Sequence, residues 1–94
     1  LKLMFGLKSK TLTGTGSVTS GPTRLVKLYL VGASSAGSVV LKNGGASGTT
    51  LFEMATPAGA TLTQNIDFND EGLRFETDCH ATLTNITSIT FLHG

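Results

Sequence analysis

The chain has no tryptophan, one tyrosine, one cysteine and two prolines in 94 residues, and 14% of it is charged. Each shortage closes off a class of protein. A single cysteine, Cys79, forms no intrachain disulfide, so nothing in the composition points to an oxidising compartment. With no tryptophan and Tyr29 alone, an aromatic sugar-stacking platform is poorly provided for. No apolar run approaches the ~20 residues needed to cross a bilayer, so no membrane segment is expected. The opening LKLMFGLKSK has an apolar stretch too short for a signal peptide and no small-residue cleavage site after it. Numbering opens on Leu1 rather than Met, so a few leading residues are expected to be missing. Ninety-four residues supply one modest core, so the expectation is a single domain over 1–94.

Acids are missing from the whole first half. Residues 1–47 carry Lys2, Lys8, Lys10, Arg24, Lys27 and Lys42 and no acid. Residues 48–94 carry Glu53, Asp67, Asp70, Glu71, Glu76 and Asp78 against Arg74 alone. The plain expectation is that the halves neutralise each other within one fold. The sharper one is a basic surface meeting an acidic surface of a neighbouring copy, which would orient the contact. The basic residues are scattered and not interleaved with aromatics, so no nucleic-acid partner is expected.

Hydrophobic residues recur with a period of two. In residues 60–68, Leu62, Ile66 and Phe68 fall on one face and Thr61, Thr63, Asn65 and Asp67 on the other, a strand with one wet side. Residues 49–56 repeat the pattern with Phe52 and Met54 inward and Glu53 outward, and Leu3, Phe5 and Leu7 do the same at the start. RLVKLYLV, residues 24–31, is apolar on both faces and reads as a central strand, or one whose outer face meets a partner. Glycine-rich breaks separate the runs, among them Asn43-Gly44-Gly45, a hairpin signal because tight turns demand positive φ. No segment shows ten residues of helical spacing with caps at both ends. The fold class this implies is all-β: a single small antiparallel β-sandwich of about eight short strands, jelly-roll or Greek-key like.

Chemistry-bearing residues are sparse. Asp78-Cys79-His80 is the one cluster that resembles a site, but neighbours in a strand point to opposite faces, so Cys79 and His80 diverge. Alternation with Leu73, Phe75, Ala81 and Leu83 puts Cys79 inside, with a strand break near Thr77 and Asp78. A structural cysteine is expected, not a nucleophile. Cys79, His80 and His93 lack zinc-site spacing. Asp67, Asn69, Asp70 and Glu71 gather oxygens in one loop but miss the EF-hand pattern, which leaves a solvated acidic turn. Glu53, Glu76 and Asp78 offer carboxylate pairs with no local signature of glycoside hydrolysis. The glycines from Gly14 to Gly21 lack the Lys-Ser/Thr ending of a phosphate loop. Asn85-Ile86-Thr87 fits the glycosylation pattern incidentally. The expectation is no catalytic residue, no metal and no cofactor.

Two stretches, LTGTGSVTSGPTRLVKLYLVGASSAGSVVLKNGG and DEGLRFETDCHATLTNITSITFLHG, together resemble small virion proteins of about 90 residues from tailed bacteriophages, marine ones in particular. The resemblance runs from Leu12 to Gly94 and is carried by turn glycines and strand patterns. It implies a non-enzymatic virion component: capsid decoration or cement, or a head or tail accessory protein. Assembly in the bacterial host, a homo-oligomer with a trimer favoured, and contact with other virion proteins such as the major capsid protein go with it. The alternative is a monomeric carbohydrate- or surface-binding sandwich, with loops 33–37 and 69–72 holding a ligand or calcium.

Overall fold

The computed structural model describes residues 7–59, 62–68 and 71–94. Among them are nine strands and no helix: β1 (Lys8–Leu12), β2 (Gly16–Thr19), β3 (Thr23–Gly32), β4 (Gly37–Asn43), β5 (Thr49–Thr56), β6 (Thr63–Asp67), β7 (Leu73–Phe75), β8 (Cys79–Thr84) and β9 (Ile86–His93). All pairing is antiparallel. One sheet runs β1-β9-β3-β6, with β7 beside β6 on the same edge of β3; the other runs β2-β8-β4-β5.

The connectivity is that of one long hairpin rolled up. Its tip is the β4–β5 turn, where Gly44 and Gly45 take φ of 108° and 83°, a region glycine enters without steric cost. From the tip outward, β4 pairs β5, β3 pairs β6 and β7, β2 pairs β8, and β1 pairs β9. Successive rungs alternate between the two sheets, which is the winding of a jelly roll. The sandwich class expected from periodicity is therefore the one observed, with nine strands in place of about eight.

The core follows from the alternation. Leu28 and Leu30 of β3, Val39 and Leu41 of β4, Cys79 and Ala81 of β8, and Ile89 and Phe91 of β9 are fully buried between the sheets, with Leu25 and Phe75 at one end. The inward phase of β3 survives a β-bulge: pairing passes from Leu25–His93 to Lys27–Leu92, so Val26 is an extra residue. The bulge resets the alternation, which is why Leu25 and Leu28 are both inside although three apart. Inside and outside positions of residues 49–56 and 63–68 agree with the sequence reading; Leu3 and Phe5 lie outside the described residues.

Two of the chain crossings at one end of the sandwich, β3–β4 and β8–β9, are tied together by side chains. Asn85, at φ 53°, is the single residue between β8 and β9. Its Nδ2 donates to Ala36 O at 2.9 Å, and Thr87 Oγ1 donates to Gly32 O at 2.9 Å. Gly37 sits under this corner so closely that a Cβ would meet Thr84 O at 2.0 Å.

Candidate interaction surface

Cys79 is fully buried, and its thiol is pushed up to about 12, first by burial and then by the neighbouring Asp78 carboxylate. At neutral pH it is a protonated core side chain, since the thiolate is the reactive form. His80 is opposite Ser17 on one side and Lys42 on the other, on the outer face of its sheet, whereas Cys79 faces in. The divergence expected of strand neighbours is what the fold produces.

Asp78 has a different job. Its Oδ1 accepts hydrogen bonds from Gly44 N–H at 2.9 Å and Gly45 N–H at 3.0 Å, at the tip of the β4–β5 turn. In return, Asn43 Oδ1 accepts from Thr77 N–H at 2.7 Å and Asp78 N–H at 3.3 Å. Two turns more than thirty residues apart thus clasp each other through reciprocal side-chain-to-backbone bonds. Sequence spacing gives no hint of this, because Asn43 reads as an ordinary hairpin residue and Asp78 as part of a would-be site.

The remaining candidates stay apart. His93 is buried, with Nδ1 3.3 Å from Thr23 Oγ1 and 3.2 Å from Gly94 O. Glu53 faces out from the middle of β5, Glu76 is exposed after β7, and Asp78 is held in its clasp. Asn69 and Asp70 of the acidic loop lie outside the described residues. Among the described residues no three His, Cys, Asp or Glu side chains assemble to hold a metal, and no cavity forms. The glycine-rich stretch 14–21 is β2 with a bend on either side of it.

The outer face of the β1-β9-β3-β6 sheet is what the fold presents. Register sets its rows: Ser9, Leu92, Lys27 and Asp67; then Thr11, Thr90, Tyr29 and Asn65; then Ser88, Val31 and Thr63. Tyr29 stands 42% exposed at the centre. Thr11 and Thr90 share a hydroxyl–hydroxyl bond of 2.9 Å. Lys27 lies 4.0 Å from Asp67, a well-exposed pair of the kind worth under about 1 kcal/mol. At one end Arg24 is opposite Arg74, like charges facing each other across β3 and β7. Lys27–Asp67 joins a base of the first half to an acid of the second. Lys42 instead donates to Ala46 O at 2.9 Å, and Glu53 points outward. Among the described residues, Lys27–Asp67 is an ion pair that joins the two halves.

Comparison with known proteins finds no matching family model, no matching protein and no matching solved structure. The likeness to phage virion proteins rests on the two stretches quoted above.

Proposed function

We propose that the chain is a non-enzymatic structural protein of a tailed-phage virion, a capsid decoration or cement protein or a head or tail accessory component. It acts by self-association, in a trimer or another cyclic oligomer, and by binding other virion proteins such as the major capsid protein. The observation that carries this reading is the outer face built on β9 and β3. Tyr29 and Val31 of β3, the strand that sequence marks as apolar on both sides, and Leu92 of the neighbouring β9 lie among Thr and Ser side chains there. An antiparallel sheet that ends in water alternates apolar-in and polar-out; apolar residues on its second face suit a covered one. Jelly rolls serve capsids and lectins alike, so the fold is compatible with this function without selecting it.

Absolute mass by size-exclusion chromatography with light scattering, over a tenfold dilution and at two salt concentrations, tests the reading. A mass that is a fixed multiple of 9.7 kDa is expected, reduced by Tyr29→Glu. A monomer throughout, with Tyr29 fully open to chemical modification, refutes self-association through this face.

A further inference from the structure

The sandwich has four open strand edges among its described residues, and three are guarded against pairing. On β1, Lys8 and Lys10 are opposite the buried His93 and Phe91, so both lysines are on the inward side of an edge strand. An inward charge there deters any added strand, which would have to cover it. On β2 the strand is four residues long, and its register shifts between Ser17 and Thr19. The third edge is split between β6, of five residues, and β7, of three. The fourth, β5, runs eight residues, TTLFEMAT, with no lysine, arginine or proline. Its one charge, Glu53, faces outward, and beside it the half-buried Phe52, Met54, Ile66 and Phe68 line the mouth between the sheets. Phe52 and Phe68 meet edge to face there, ring centres 5.1 Å apart.

We propose that β5 is a pairing edge and that its occupant is β5 of a second copy, antiparallel about a two-fold axis through Met54. This contact is separate from the outer face and rests on the reading that the chain self-associates. Symmetry and sequence choose the register. A bulge leaves Leu51 as an extra residue, since pairing with β4 passes from Phe52–Leu41 to Thr50–Lys42, so the regular edge is residues 52–56. With the axis at Met54, Phe52 faces Thr56 on the inner side and Glu53 faces Ala55 on the outer side. The inner row Leu83, Val39, Met54 then continues into the same three residues of the second copy in reverse order. An axis at Glu53 would set two carboxylates directly opposite each other, which is destabilising. An axis at Ala55 would bring Pro57, which has no N–H, into the ladder. An isologous contact of this kind closes at two copies and joins two four-stranded sheets into one of eight.

Oxidation of Met54→Cys tests the register. Residues opposite each other in an antiparallel pair have Cα atoms about 4.5–5.5 Å apart, within disulfide range. Met54→Cys is expected to give a disulfide-linked dimer on non-reducing gels, and Thr50→Cys, four residues off the axis, is expected not to. Cys79, fully buried, stays reduced in both. Met54→Lys, which copies the guard found on β1, is expected to halve the mass by light scattering with an unchanged circular dichroism spectrum. If the unmutated chain is oligomeric, Met54→Cys does not cross-link and Tyr29→Glu alone lowers the mass, the β5 pairing is overturned and self-association stands. If the unmutated chain is monomeric and Met54→Cys does not cross-link, both readings fall.

Discussion

Replacing Asp78 by alanine removes one half of the clasp between the β4–β5 turn and the turn before β8. Two backbone donors, Gly44 N–H and Gly45 N–H, lose a charged acceptor at 2.9 and 3.0 Å. Bonds to a charged group contribute about 1.5–3 kcal/mol each when buried. Here Gly44 is exposed, and Gly45 and Asp78 are half-buried, so water takes up part of the loss and the expected cost is about 1–2 kcal/mol. A domain of this length has a total stability of about 5–14 kcal/mol, so the change is a visible fraction of it. At about 4–8 °C per kcal/mol for a small domain, Tm falls by about 5–15 °C. Asn43→Ala, which strands Thr77 N–H and Asp78 N–H, is expected to cost a similar amount. Because the two side chains brace the same pair of turns, the double variant should be less destabilised than the sum of the singles by at least about 0.5 kcal/mol. Urea unfolding followed by circular dichroism measures all three. An Asp78→Ala variant within about 0.5 kcal/mol of the parent, the ordinary range for a surface change, would refute the clasp as a stabilising element. Strict additivity would refute its reciprocity.

Gly37→Ala should be among the most damaging single changes, because the new Cβ would meet backbone oxygens at 2.0 and 2.8 Å. A loss above about 2 kcal/mol in the same unfolding assay is expected, since the crowding atoms are main chain and cannot step aside. Cys79 should resist a thiol reagent at pH 8 in the native protein and react fully in denaturant. Its folded pKa, about 12, lies above the ordinary 9.0, so the unfolded state loses its proton first as pH rises. Stability should therefore be unaffected by Cys79 below pH 9 and decline between 9 and 12, with the decline reduced in Cys79→Ala. A native thiol that reacts at pH 8 at the rate of the denatured one would contradict its burial.

The layers of this protein are legible in its sequence wherever one residue alternates with the next. Residues 63–67 and 52–56 announce their inner faces, RLVKLYLV at residues 24–31 announces a central strand by being apolar on both faces, and Cys79 falls inside by its phase with Ala81. Alternation is local, so it survives the loss of all three-dimensional information. The bulges at Val26 and Leu51 are not legible, because an extra residue in one strand is defined only by its partner. The clasp is hidden for the same reason: Asn43 and Asp78 are each ordinary turn residues until the hairpin rolls up and brings the turns together. The outer face of β3 was visible as a strand with too many apolar residues, and register supplied Leu92 and Thr90 beside it. The unguarded edge of β5 could be recognised only once strand order had shown which strands lie at an edge.

The rolled hairpin also sets the order in which the chain can fold. Its rungs are nested, from Asn43–Thr49 at the tip, through Val31–Thr63 and Thr19–Cys79, to Lys8–His93 at the mouth. Closing the outermost pair first would confine more than eighty residues at once, and the entropy lost grows with the length enclosed. Closing from the tip makes each later pair a short step from one already formed, like a zip drawn from its fixed end. Rates should then be most sensitive to changes near Gly44 and Gly45. Changes on β1 should instead speed unfolding, since that strand joins last.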